Sequence, residues 1–228
     1  MRVSMQMKLV NDRIHLICKQ TAPISSITEK VMKKEELLRI LQPCIQIPDH
    51  DEAKLKMPCL NLEAGLMMVL DCGIGAKVRI PVPKGLFHKL GMPEEAAWEA
   101  ARENAGFRIR ALDDLLSEKH GAESVWLLVS FDVLTASYEN GASALLYPSI
   151  FESYCREKQA RHCRIIPASK SELLLLPEKY DFLSNEGLIN IEHKANREFI
   201  PEHQQLEAVL YRYSLDTNTI EIIKGENR

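Results

Sequence analysis

Glycine and proline divide the apolar part of this chain into short pieces between residues 140 and 177. Gly141 precedes an apolar segment that ends at Pro148, and two further apolar segments end at Pro167 and Pro177. Proline cannot donate to a strand ladder or continue a helix interior, and glycine permits turns that other residues resist. This part of the chain is therefore restricted to short strands and helices joined by tight turns.

Apolar residues that alternate with polar ones predict β-hairpins at both ends of the chain. The first hairpin is centred on residues 11 and 12, and the last on residues 216–218. A further hairpin is predicted from residues 66–70 and 77–80, with a turn that contains Gly73 and Gly75.

Helical periodicity and caps predict helices at 28–42, 83–90, 93–105, 112–116, 148–155 and 185–197. Additional strands are predicted at 125–131, 143–147, 164–166 and 173–176, whereas residues 43–65, with three prolines, are expected to be irregular. Hairpins interleaved with short helices, without repeated β-α-β units, predict an α+β fold with a mixed or antiparallel sheet.

The irregular segment is also the predicted boundary between two parts of the chain. Residues 1–62 then form an N-terminal hairpin-helix region with a linker, and residues 63–228 form the main α+β domain. One continuous domain is the alternative, since 228 residues can bury a large core in either arrangement.

Composition argues against several classes of protein. The net charge of −3 lacks the basic field that attracts nucleic acid. The N-terminus has no signal-peptide pattern, and no apolar run approaches the roughly 20 residues of a membrane helix. The six cysteines include no C-x-x-C and are expected to be reduced and buried. We therefore expect a soluble cytoplasmic protein that binds neither nucleic acid nor membrane.

The strongest candidate for a nucleophile is Cys155 or Cys163, with His162 as the base and Asp181 to orient it. A thiolate forms near neutral pH only beside a proton acceptor or a positive charge. His162 and Cys163 are neighbours on a predicted strand, so their side chains should lie on opposite faces. Cys155 lies on the apolar side of its predicted helix. We therefore assign no catalytic residue here.

A polar turn lies between the predicted strands at 164–166 and 173–176. Ser169 and Lys170 resemble a serine–lysine nucleophile pair, but serine side chains in such turns usually bond the backbone. Asn140, Ser169, Lys170 and Glu172 remain as polar candidates of unknown role.

Metal ligation has two candidate groups, and neither has the spacing of a known site. The first lies in the irregular segment and consists of Cys44, Asp49, His50, Asp51 and Cys59. The second consists of the pairs Glu192-His193 and Glu202-His203. We predict neither a metal nor a cofactor.

Two spaced motifs resemble those of a known family. Asn140-Gly141-Ala142 leads to Leu145-Leu146-Tyr147-Pro148, and residues 165–169 lead to the segment 172–177. These are similar to the N-G-A…L-L-Y-P block and the I-L-P-S-S-x-H-E turn of a family of bacterial proteins with a domain of unknown function, found mostly in anaerobes.

The likeness covers about residues 66–224 and includes Pro93-Glu94-Glu95 with Trp98, Ala101 and Asn104, and the strand 209–213. Ser171 stands where the family has histidine, and residues 1–62 do not match. The resemblance implies a cytoplasmic location but no activity, substrate or catalytic residue.

The function favoured by these patterns is a non-enzymatic binding or regulatory module that contacts another protein through a sheet surface or the 43–65 segment. The alternative is a hydrolase or transferase that uses the Ser169–Glu172 turn or a Cys155/His162 pair. A hydrogen bond from His162 or His193 to Ser169 or a cysteine, inside a pocket, would favour the enzyme.

Overall fold

The computed structural model describes residues 2–10, 13–21, 26–45, 54–57, 60, 62–71, 77–83, 85–120 and 131–223. The strands are β1 (Arg2–Val10), β2 (Arg13–Thr21), β3 (Ser26–Met32), β4 (Leu41–Ile45), β5 (Lys54–Met57), β6 (Leu62–Asp71), β7 (Lys77–Pro81), β8 (Arg108–Ala111), β9 (Asp132–Thr135), β10 (His162–Ile166), β11 (Glu172–Pro177), β12 (Leu210–Ser214) and β13 (Thr219–Ile223). The helices are α1 (Lys34–Ile40), α2 (Leu86–Lys89), α3 (Glu94–Ala105), α4 (Leu112–His120), α5 (Pro148–Glu157) and α6 (Asn185–Phe199). Helices and antiparallel sheets together confirm the α+β class.

The chain groups into two compact units. The first contains residues Met1–Gln42, Asp51–Ala53 and Leu66–Asn104, and the second contains Pro43–His50, Lys54–Gly65 and Ala105–Arg228. This grouping differs from the expected one, because residues 66–104 join the N-terminal strands. Whether residues 1–62 and 63–228 form separate folding domains stays a prediction.

The first unit contains the three-stranded sheet β1-β2-β3. The N-terminal hairpin is confirmed, since Leu9 lies opposite Ile14 and Met7 lies opposite Leu16 across β1 and β2. The pairing of the second predicted hairpin is confirmed by β6 and β7, whereas its predicted turn residues Gly73 and Gly75 lie outside the described residues. The core of this unit is built from Ile14, Leu16, Met32, Leu37, Leu41, Leu66, Met68, Leu70, Val82, Leu86, Phe87, Leu90, Ala97 and Ala101.

A side-chain amide fixes the end of α1 in the first unit. Asn104 Nδ2 donates to the backbone oxygens of Leu38, at 2.6 Å, and Leu41, at 3.0 Å. Gln42 Nε2 donates in return to the backbone oxygen of Asn104 at 3.0 Å. The last carbonyls of a helix have no partner within it, so Asn104 has a structural role in capping α1.

Two predictions for residues 28–65 are wrong. Residues 28–32 belong to strand β3, which pairs with β2, so the helix begins only at Lys34. Residues 43–65 are not simply irregular, because they include parts of β4 and β6 and all of β5. Pro43 is tolerated in β4 because that strand lies at the edge of the order β4-β6-β5.

The second unit contains a six-stranded sheet in the order β13-β12-β10-β11-β9-β8. Consecutive residues of β11 enter different clusters: Leu173 and Leu175 pack with α5, and Leu174 and Leu176 pack with α6. The two helices therefore cover opposite faces of the sheet. We call the side covered by α6 the α6 face.

The predicted helices at 148–155 and 185–197 and the predicted strands at 164–166 and 173–176 are confirmed by α5, α6, β10 and β11. The closing hairpin is confirmed by the pairing of β12 with β13. The strand predicted at 143–147 is wrong, because residues Gly141–Leu146 form a 3-10 helix. Residues 125–130 of another predicted strand lie outside the described residues.

None of the helices within the described ranges is long and apolar enough to cross a membrane.

Candidate functional site

Charged residues occupy one end of the α6 face. His162 and Arg164 are two positions apart on β10, so both lie on this face, whereas Cys163 lies on the other. The register places Arg164 opposite Arg212 of β12, and Arg212 opposite Glu221 of β13. Like charges directly opposite each other on neighbouring strands repel. Asp181 beside Arg164 and Glu221 opposite Arg212 oppose this repulsion.

Asp181, which follows β11, joins these groups into a chain of polar contacts. Its Oδ2 lies 2.6 Å from His162 Nε2, and its Oδ1 lies 3.6 Å from Arg164 Nε. Arg212 Nη2 lies 3.3 Å from His162 Nδ1. Arginine can only donate, so Nδ1 of a neutral His162 accepts from Arg212 while Nε2 donates to Asp181. Both nitrogens of the imidazole ring are thus engaged.

Arg164 has a structural role. It is 4% exposed, and burial lowers the pKa of its guanidinium. Its Nη1 donates to the Leu183 oxygen at 2.6 Å and to Asn185 Oδ1 at 3.2 Å, and its Nη2 donates to the Tyr180 oxygen. These bonds attach the segment before α6 to the sheet, and they occupy the outer nitrogens of Arg164.

The Nε atoms of Arg164 and Arg212 are both shielded from solvent and have no hydrogen-bond partner within the described part of the chain. Arg164 Nε lies 3.6 Å from Asp181 Oδ1, within the distance of an ion pair. Buried donors are almost always paired, and an unpaired one costs about 1–3 kcal/mol.

Arg212 lines a depression of about 400 Å³ that we call the arginine pocket. Its lining residues are His162, Arg164, Asp181, Asn185, Arg212, Glu221, Ile222 and Ile223. The pocket thus brings two arginines, a histidine and two acidic residues together on the α6 face.

The predicted polar turn has a structural role in the second unit. Ser169 Oγ accepts from the Ser171 amide at 3.1 Å, and the backbones of Ser169 and Glu172 bond each other. The amide of Gly141 donates to the Ser171 oxygen at 3.1 Å. A Cβ at Gly141 would overlap that oxygen, so glycine is required there. The backbone amide of Lys170 donates to the backbone oxygen of Gln204 at 2.9 Å.

Asn140 lies beside this turn and is 8% exposed. Its backbone oxygen accepts from Ser143 Oγ at 2.6 Å, and its Nδ2 has no partner among the described residues. The four polar candidates Asn140, Ser169, Lys170 and Glu172 thus come together around the two motifs, mainly through backbone bonds that shape the turn.

The candidate cysteine–histidine pair does not form. Cys155 of α5 and Cys163 of β10 are fully buried in the cluster on the α5 side of the sheet. His162 faces Asp181 on the opposite side. Hydrogen bonding to the Cys155 thiol, together with burial, raises the pKa of Cys163. Cys163 is a core residue because strand neighbours point to opposite faces, and Cys155 is a core residue because it lies on the buried side of α5.

The candidate metal ligands are only partly described. Cys44 is buried and its Sγ donates to the Gly65 oxygen at 3.4 Å, whereas residues 49–51 and Cys59 lie outside the described residues. The described part of the chain includes the Glu192-His193 and Glu202-His203 pairs. It contains no group of three or more histidine, cysteine or acidic residues that could hold a metal ion.

Sequence reasoning missed Arg164 and Arg212. Arg164 lies two residues before Ile166, and Arg212 lies two residues after Leu210, in strands that are otherwise apolar. Alternation therefore assigns each arginine to the same buried face as its apolar neighbour. An isolated charge at a core-facing position was the available signal. That the two positions are opposite each other depends on strand register, which local sequence does not show.

No protein-family model matches this chain, and neither a curated protein nor a solved structure matches it. The resemblance of residues 66–224 to a bacterial family with a domain of unknown function therefore stays a prediction.

Proposed function

We propose that this protein is a binding module that holds a carboxylate of a partner protein in the arginine pocket. The observation that carries the proposal is the buried Nε of Arg212, which has no partner in the described chain and faces an arginine on the next strand. A carboxylate brings two acceptor oxygens in the geometry that a guanidinium recognises. It also neutralises part of the repulsion between Arg164 and Arg212.

The acidic residues of the pocket favour a carboxylate over a phosphate. Asp181 and Glu221 both line it, so a dianionic ligand meets two negative charges, whereas a carboxylate carries only one. The carboxylate belongs to an aspartate or glutamate side chain or to a chain terminus of the partner.

Binding rather than catalysis is favoured by the surroundings of His162. Both of its ring nitrogens have partners, and the described lining of the pocket includes neither serine nor cysteine. The enzyme alternative required a histidine bonded to Ser169 or to a thiol. Among the described residues Ser169 bonds Ser171, and Cys155 and Cys163 are buried on the other side of the sheet.

The proposal is tested by titrating acetate into protein labelled with ¹⁵N-arginine. We expect the Nε–H resonance of Arg212 to shift with saturation, and Arg212→Gln to lose it while remaining folded by circular dichroism. Arg156→Gln is the matched control, since Arg156 is exposed on α5 and pairs only with Glu152 among the described residues.

A second arm uses a displayed library of random peptides. Wild type and the Arg156→Gln variant should select peptides rich in aspartate and glutamate, and Arg212→Gln should bind them at least about tenfold more weakly, as expected for a lost charge-assisted pair. Equal shifts of all arginine resonances, or unchanged selection by Arg212→Gln, would overturn the proposal.

A further inference from the structure

A second depression, separate from the arginine pocket, lies between α6 and the segment 202–208. It has a volume of about 840 Å³, and we call it the α6 cavity. The lining residues are Asn190, His193, Lys194, Asn196, Arg197, Glu202, Gln205, Leu206 and Ala208. This volume lies within the range of about 300–1,000 Å³ that is usual for sites of small molecules.

The wall opposite α6 is held in place by side-chain and backbone bonds. Gln205 Nε2 donates to the backbone oxygens of Asn196, at 2.9 Å, and Ile200, at 2.7 Å. The neighbouring Gln204 oxygen accepts from the Lys170 amide. The cavity is therefore formed before any ligand binds, which lowers the entropic cost of binding.

One of the lining residues, Asn196, has an unpaired acceptor. Asn196 is 8% exposed; its Nδ2 donates to the Leu206 oxygen at 3.4 Å, and its Oδ1 has no partner among the described residues. Burying a polar atom without a partner costs stability, so such atoms are rare unless a ligand or water completes them. An N–H or O–H donor, from a ligand or from a water molecule, can complete Asn196 Oδ1.

The outer part of the cavity has an excess of positive charge. Lys194 and Arg197 are exposed on α6 and form no ion pair with the described residues, and His193 lies beside them. Glu202 supplies the one acidic side chain among the described lining residues. Two cations and a histidine on one wall suit a dianionic group.

We propose that the α6 cavity binds a small phosphomonoester that also carries hydroxyl or amino donors. Its donor bonds Asn196 Oδ1, and its phosphate lies against Lys194 and Arg197. This ligand is distinct from the carboxylate of a protein partner, so Arg212→Gln should leave its binding unchanged.

The test measures the melting temperature of the full chain with AMP and with glucose 6-phosphate, and with adenosine and glucose as ligands without phosphate. A ligand at about 100 times its dissociation constant raises the melting temperature of a chain of this length by roughly 5–10 °C. We expect this shift from at least one phosphomonoester and from neither neutral ligand.

Three variants locate the site. Asn196→Leu and the double variant Lys194→Gln/Arg197→Gln should each lose the shift while remaining folded by circular dichroism, and the shift is measured against each variant's own melting temperature because Asn196→Leu also removes the bond to the Leu206 oxygen. Lys89→Gln/Arg39→Gln removes the same charges from exposed positions of α1 and α2 and should keep the shift. The proposal is refuted if no phosphomonoester stabilises wild type, or if the shift persists in Asn196→Leu or in the Lys194→Gln/Arg197→Gln variant.

Discussion

Replacing Glu192 by glutamine should stabilise this protein at neutral pH. Glu192 lies on the buried side of α6, is 3% exposed, and neither of its carboxyl oxygens has a partner among the described residues. Burial raises the pKa of this carboxyl to about 8. At neutral pH the folded protein therefore holds a proton on Glu192 that the unfolded chain releases.

The sign and size of the effect follow from this difference in proton binding. Because the pKa of Glu192 in the folded protein is raised above its value in the unfolded chain, near 4.5, its unfavourable effect on stability is absent below about pH 4.5 and grows as pH rises toward 8. Within that window the free energy of unfolding falls by about 1.4 kcal/mol per pH unit. At pH 7 the accumulated cost is about 3 kcal/mol, and glutamine, which needs no proton, avoids it.

The assay is urea unfolding of wild type, Glu192→Gln and Glu198→Gln at several pH values across this window. Glu198 is exposed six residues further along α6, so its variant controls for the lost charge. We expect Glu192→Gln to match wild type near the acidic limit and to exceed its stability by about 3 kcal/mol at pH 7. If Glu192→Gln is less stable than wild type at pH 7, Glu192 is ionised and paired, and the reasoning is wrong.

Two further substitutions test structural roles assigned above. Gly141→Ala should lower the free energy of unfolding by about 3 kcal/mol because the new methyl group overlaps the Ser171 oxygen, and a loss below about 1 kcal/mol would contradict the close approach. Asn104→Ala should lower it by about 2 kcal/mol because the oxygens of Leu38 and Leu41 lose their donor, and urea unfolding with unchanged stability would refute the capping role.

The hairpins were predictable because their information is local. Alternation of apolar residues assigns one face to the core whatever the partner strand is, and a turn between two such runs brings them together. The pairing of Leu9 with Ile14 and the hairpin of β12 and β13 follow from this rule. Pro148 and Gly91 likewise mark a helix start and a helix end through their own backbone geometry.

The errors occurred where distant contacts decide the conformation. Residues Gly141–Ser143 are buried on every side, so alternation carries no information there, and the 3-10 helix follows from bonds to the backbone of Lys170 and Ser171. The segment 28–32 has a helical pattern but pairs with β2 as a strand. Tertiary pairing outweighs the small differences in local propensity.

The candidate site shows the same division. The sequence by itself determined that Ser169 lies in a turn and that His162 and Cys163 face opposite ways, because both follow from the geometry of a few bonded residues. Only the tertiary structure decided that Arg164 lies opposite Arg212, some fifty positions along the chain, and that Asp181 reaches His162. Strand register and burial set these distances, and they arise from the packing of the whole sheet.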